Sequence, residues 1–275
     1  MKTQNLAYLR PDQIIEEMQR RPLAYLPVGP LEWHGPHLPL GVDPLNAENA
    51  ALQAADQTGG LVFPTLYWGT ERERSPEMLN WLGLDPESYV VGMDFPANSL
   101  PSLYCSEEIL ALLVREQLNL AVKFGFRLIV IVTGHAATNQ IEVLQRLAAE
   151  FNGNKLARVI VVLPFVTNPS GIMEVGHASR IETSVMQALY PHTVRLENLP
   201  PLPEPLRNAD WAVVDYETFL GSPTPDRTIH EHDDPRLADP ERGHQTIQLA
   251  VSQIVSLVQK ELEAIANPSQ KSQNQ

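Results

Sequence analysis

Residues 23–43 read LAYLPVGPLEWHGPHLPLGVD, an unbroken apolar run that opens into a corner rich in glycine, proline, histidine and acid. Leu23–Val28 has the length and composition of a buried strand, and it runs straight into Gly29–His34. In α/β proteins the ends of parallel strands are where ligands gather. If Leu31–His34 stays extended, Glu32 and His34 share a face, because side chains alternate with a period of two. Gly35, Pro36, Pro39 and Gly41 then turn the chain, and Asp43 can return to the same point. Two carboxylates and an imidazole so placed suit a borderline cation such as Zn²⁺, Mn²⁺ or Fe²⁺. The alternative is an ordinary turn in which Asp43 and His34 cap backbone groups.

Outward from this stretch, Leu61–Leu66, Leu128–Thr133, Arg158–Phe165 and Ala212–Tyr216 read as further strands. Helical patterns lie between them. Pro11–Gln19 carries proline in its first turn, Asn46–Gln57 is alanine-rich, and Glu107–Phe124 stops at Gly125. Gln140–Phe151, Glu182–Leu189 and a long Gly243–Ala266 complete the set. Strands alternating with helices predict an α/β fold around a largely parallel sheet. Residues 1–266 are expected to form one domain and 267–275 a disordered tail. Two long stretches, Tyr67–Ser106 and Pro200–Arg242, break the alternation and are candidates to cover a site.

The chain has 275 residues, 43% of them hydrophobic, and a formal net charge of −13. That length can bury a sizeable core. The acidic balance argues against nucleic acid or an anionic membrane surface as partner, and leaves a small molecule as the expected one. A single cysteine, Cys105, excludes a disulfide framework within the chain. The amino-terminal residues lack an apolar run of leader length, and no stretch reaches the ~18 apolar residues that span a bilayer. A cytoplasmic location is the expectation. No G-x-S-x-G elbow, phosphate loop or dinucleotide fingerprint is present.

Two more clusters join the first. RLIVIVTGHAATN, residues 127–139, is another apolar strand that opens into a Gly-His turn and puts His135 at a second strand end. EVGHASRIETS, residues 174–184, holds His177 and Glu182 at the start of a helix, where Glu182 could equally be a first-turn acid favoured by the helix dipole. His192, His230, His232 and His244 fall in polar loops or at a helix start and read as structural or solvent-facing.

Together the three clusters resemble the creatininase (creatinine amidohydrolase) family. The family's G-x-x-E-x-H-G-x-H-L-P-x-x-x-D corresponds to Gly29–Asp43, its N-G-H-x-x-N to Thr133–Asn139, which reads TGHAATN, and its H-x-x-x-x-E-T-S to His177–Ser184. The likeness runs from roughly Leu23 to Pro191 and more weakly to about Ala266. It implies a three-layer α/β/α fold, two divalent cations per subunit and assembly as a homo-oligomer, a hexamer in the family. By position, Glu32 and His135 would hold one ion, His34 the other, and Asp43 would bridge them. His177 would be the catalytic proton carrier, and His37 would support the first loop.

The sequence departs from the family twice. The acid expected two residues after His135 is Ala137, and Glu182 is the substitute ligand the sequence offers. The tryptophans that line the creatinine pocket are replaced by residues near Phe165 and Met173, so creatinine itself is not the expected substrate. Trp33 and Arg180 are candidate substrate contacts, with Arg72 and Arg74 weighed as surface ion-pair partners instead. The resulting expectation is metal-dependent hydrolysis of a non-peptide C–N bond in a small cyclic amide or formamide. Deformylation or small-peptide trimming in cofactor biosynthesis shares the same metal set. A metal- or metabolite-binding protein without catalysis is the reading from another class, and Ala137 is its support.

Overall fold

The computed structural model describes residues 4–96, 98, 100–166, 176–204, 206 and 232–267. Four strands, β1 (Leu23–Val28), β2 (Leu61–Val62), β3 (Leu128–Thr133) and β4 (Arg158–Val162), pair in the order β2–β1–β3–β4. All three pairings are parallel. β1 and β3 run in step from Leu23 opposite Leu128 to Val28 opposite Thr133, so both open into their loops at one level.

Alternation along the strands sorts the core into two layers. Ala24, Leu26, Val28, Ile129, Ile131 and Val159 pack on α4 (Glu107–Phe124) and α5 (Thr138–Gly153). Leu23, Tyr25, Leu128, Val130, Ile160 and Val162 face α2 (Val42–Thr58) and α7 (Pro240–Ala266) on the other side. The α2 face is built from Ala47, Ala50, Ala51, Ala54 and Ala55, small enough to bring this helix close to the sheet. Each fully buried Leu, Ile or Val contributes roughly 1.5–3 kcal/mol, so both layers are needed to offset chain entropy. α1 (Pro11–Arg20), α3 (Pro76–Trp81) and α6 (Arg180–Leu189) complete the helices among the described residues. No helix among these residues is long and apolar enough to cross a membrane.

Several boundaries differ from those read in the sequence. β2 ends at Val62 and β4 at Val162, before Pro64 and Pro164, which lack the N–H a ladder needs. α2 begins at Val42 rather than Asn46, because Pro44 sits in the first turn, where a missing N–H costs nothing. Asp43 therefore stands on a helix. α3 was not anticipated, although Ser75 caps it with Pro76 behind. α6 starts at Arg180, with the Ser179 hydroxyl accepting from the Glu182 N–H, and α7 starts at Pro240 behind an Asp239 cap. The strand expected at Ala212–Tyr216 lies outside the described residues, as do His230 and Met173.

Candidate metal centre

The loops that leave β1 and β3 meet over the first turn of α2, and glycine makes the meeting close. A Cβ on Gly134 would lie 2.0 Å from the Asp43 carbonyl oxygen, and one on Gly29 would lie 2.9 Å from the Asp43 Cβ. Only hydrogen fits at either place. The Gly134 N–H donates to the Val28 carbonyl at 3.0 Å, continuing the β1–β3 pairing one residue beyond the strands. Glu32, Asp43 and His135 are thereby brought together, and α6 brings Glu182 up beside His34.

The geometry is that of donors converging on common points. Asp43 Oδ1 is 3.3 Å from His34 Nε2, and its Oδ2 is 3.0 Å from His135 Nδ1. Glu32 Oε2 lies 3.5 Å from His135 Nδ1 and 3.8 Å from His34 Nε2. Glu182 Oε2 is 4.0 Å from His34 Nε2. Despite these approaches, His34 Nε2 and Asp43 Oδ2 have no hydrogen-bond partner, although both are buried. Buried polar atoms are ordinarily paired, so an orphaned cluster of metal-ligating types has the chemistry of a cation site. Three groupings could hold an ion: Glu32–Asp43–His135, His34–Asp43–Glu182 and Glu32–His34–His177. Ala137 offers no donor, and Glu182 completes the second grouping.

Tautomers follow from the surrounding carbonyls. His34 Nδ1 is 3.0 Å from the Glu32 backbone oxygen, which can only accept, so this nitrogen carries a proton and Nε2 is the nitrogen that could give its lone pair to an ion. His177 Nε2 is 2.6 Å from the Trp33 carbonyl and is likewise the protonated nitrogen, leaving Nδ1 free at 3.7 Å from Glu32 Oε2. The rings of His34 and His177 lie 4.2 Å apart.

Burial opposes every charge here, and the carboxylates and imidazoles decide which survive. Burial would lower His34, but Asp43, Glu182 and Glu32 together raise it to about 10. Burial would raise Asp43, and His34 with His135 holds it down at about 2. His135 is driven well above its usual range because Glu32 and Asp43 outweigh its burial. Burial, with the charges of Asp43 and Glu32, pushes Glu182 up to about 8. His177 falls to about 3, from burial and then from the neighbouring His34 charge.

A cavity of about 470 Å³ opens from the cluster. Besides the cluster, Glu71, Arg72, Arg74, Met93, Phe165 and the start of α5 line it. Arg180 and Trp33 are not among the described lining residues. The Arg180 amide donates to the Asp233 carbonyl at 2.9 Å, and its charge acts on Asp234. Trp33 packs against the apolar cluster around Leu79 and Phe95, and its carbonyl meets His177 Nε2. Arg72 is bound by Glu107 at 3.1 Å and Glu142 at 2.7 Å, so its charge is matched by surface acids. His37 donates or accepts at Thr183 Oγ1, 3.0 Å away and next to Glu182, and so ties the first loop to α6. Tyr104, whose hydroxyl donates to Glu32 Oε1, was not singled out in the sequence. It comes from an irregular stretch where no periodicity marks an inward side chain.

A parallel α/β sheet with a carboxylate–imidazole cluster at its strand ends defines an α/β protein with a candidate two-ion centre. The creatininase family model, described as creatinine amidohydrolase, matches residues 7–258. The creatinine amidohydrolase of Pseudomonas putida is 25% identical over 255 residues, covering 86% of this chain and 88% of that protein. A solved creatinine amidohydrolase (creatininase) shares the fold with a TM-score of 0.67 at 22% identity, over 95% of this chain and 98% of the other. A point-mutant creatininase of Zn–Zn type gives 0.66 at 22% identity, over 95% and 99%. The chain belongs to the creatininase family, a family of metal-dependent amidohydrolases.

Proposed function

We propose that this protein hydrolyses a non-peptide C–N bond in a small cyclic amide or formamide, using two divalent cations, zinc or manganese, with iron(II) an acceptable ion for the same donors. The observation that supports this reading most is the set of buried, unpartnered donor atoms on Asp43 and His34 among three carboxylates. Glu32, Asp43 and His135 would hold one ion, and His34, Asp43 and Glu182 the other. Asp43 suits the bridging role because its two oxygens face different histidines. Bound there, such ions supply Lewis acidity towards a scissile carbonyl and lower the pKa of water towards neutrality.

The chain's own residues do the rest. His177 keeps Nε2–H on the Trp33 carbonyl and turns an unprotonated Nδ1 to the centre. With Nδ1 turned to the cluster, it is placed to take a proton from the attacking water and return it from the same atom to the departing nitrogen. Glu182 is anchored by the Ala178 N–H at 2.5 Å, which fixes one carboxylate oxygen beside His34. Apart from histidine, Phe165 is the sole aromatic residue among the described lining residues, which supports a substrate other than creatinine. Assembly as a hexamer belongs to the same proposal.

The test is turnover. Protein loaded with Zn²⁺ or Mn²⁺ is incubated with a panel of cyclic amides and formamides, and products are read by mass spectrometry. The expected result is gain of one water, or release of formate, abolished by chelator and restored by metal. Two bound ions with no turnover across the panel would favour the binding-protein reading.

A further inference from the structure

Tyr67–Ser106 supplies Glu71, Arg72, Arg74 and Met93 to the cavity lining. Its backbone is fastened to the sheet end. The Thr70 N–H donates to Gln140 Oε1 at 3.0 Å, and Gln140 Nε2 donates to Thr133 Oγ1 at 2.9 Å, on the last residue of β3. Gly69 pairs with Tyr104 in an isolated parallel bridge. Two side chains of the segment anchored in this way, Tyr104 and Glu71, address the Glu32–Asp43–His135 grouping.

Tyr104 addresses Glu32. The Met93 amide is 3.3 Å from the Tyr104 oxygen and can only donate, so the phenol's own proton goes to Glu32 Oε1. With Oε1 taken, Oε2 is the oxygen left to face His135 Nδ1. Room for this hydroxyl is made by Gly92, where a Cβ would lie 2.7 Å from it and where φ is +54°.

Glu71 addresses His135. The His135 Nε2 atom is buried and has no hydrogen-bond partner. Glu71 Oε1 faces it at 3.9 Å, while Oε2 accepts the Arg72 N–H at 2.9 Å. When Nδ1 gives its lone pair to an ion, Nε2 must carry the proton and needs an acceptor.

We infer that Tyr104 and Glu71 are positioning residues of the centre, Tyr104 fixing which oxygen Glu32 presents and Glu71 fixing the tautomer and orientation of His135. The inference rests on the two-ion reading above. Each contacts a candidate ligand, Glu32 or His135, and so would act through the affinity and geometry of one ion. Among the described residues, neither Tyr104 nor Glu71 makes a hydrogen bond or ion pair with His34 or Glu182.

The experiment uses the full chain with Tyr104→Phe and Glu71→Gln, both close in shape to the originals. Zn²⁺ binding is titrated against a chromophoric chelator, the Co²⁺ form is followed by its visible absorption bands, and the melting temperature of the metal-free protein is recorded. Wild type is expected to bind about two ions, as a two-metal site requires. Each variant is expected to lose about 10–100-fold in affinity for one ion and to keep the other, the usual effect of removing an outer partner. The Co²⁺ bands of one site shift while the metal-free melting temperature stays at the wild-type value. Unchanged Zn²⁺ affinity in both variants overturns the inference and leaves the two-ion reading standing. Equal weakening of both ions, together with a lower metal-free melting temperature, assigns the residues to the fold and also overturns it. Failure of wild type to bind Zn²⁺ at all removes the two-ion reading, and this inference with it.

Discussion

His177 offers two nitrogens with different tasks, one held by the Trp33 carbonyl and one turned to the cluster. Its Nδ1 also belongs to a grouping that could ligate an ion. The His177→Ala protein separates the two roles. The proposed proton carrier predicts full metal content with turnover reduced about 10²–10⁴-fold, the usual worth of general acid–base catalysis. Metal content falling together with turnover would make His177 a ligand. At this scale much was legible in advance. Glu32, His34, Asp43, His135, His177 and Glu182 all converge, because their spacing sits at strand ends and a helix start, where local geometry determines direction. Tyr104 and Glu71 were not legible as site residues. They reach the centre through tertiary anchoring of an irregular segment, which leaves no period in the sequence. Arg180 and Trp33 are not among the described lining residues of the cavity, for a related reason: proximity in sequence to a site residue says nothing about which way a side chain leaves a turn.

At the scale of elements, the strands β1 and β3 were readable end to end because burial on both faces makes them continuously apolar. Boundaries failed where proline intervened, cutting β2 and β4 short yet being accepted in the first turn of α2. Tyr25 shows how a buried polar atom is accommodated in such a strand. Its hydroxyl is 2.6 Å from Thr58 Oγ1 at the end of α2, and burial raises its pKa from 10.0 to about 12. A folded-state value above the unfolded one means stability present below pH 10 and lost as pH rises towards 12, by about 2–3 kcal/mol for a shift of this size. Chemical denaturation of Tyr25→Phe between pH 9 and 12 should therefore show a shallower alkaline decline than wild type. At pH 7 the variant should be lower by about 1 kcal/mol from the lost hydrogen bond. An unchanged alkaline slope would contradict this account of Tyr25. The α6–α7 contact gives a second test. An exposed helical Gly→Ala change stabilises by roughly 1 kcal/mol, but a Cβ on Gly243 would sit 1.9 Å from the Ser184 carbonyl oxygen. Overpacking costs about 1–3 kcal/mol, so Gly243→Ala should lower stability in the same denaturation assay.

For the whole molecule, the alternation of strands and helices foretold the class of fold, and the in-step pairing of β1 with β3 explains why two motifs about a hundred residues apart share one centre. The sequence did not carry the sheet order, since buried parallel strands look alike whichever neighbour they take. A net charge of −13 is part of the same picture. The carboxylates around His34 and His135 raise the pKa of both, and burial raises that of Glu182, so binding divalent ions to these residues would be coupled to release of protons. Binding an ion to the folded chain alone must also raise its melting temperature, and chelation must lower it. The most direct test of the central claim is metal per chain, measured by elemental analysis after reconstitution with Zn²⁺ and removal of free ion, for wild type and Glu182→Gln. The account predicts about two equivalents for wild type and about one for the variant, since Glu182 stands in for the acid missing at Ala137. One equivalent in both proteins, or two in both, would contradict it.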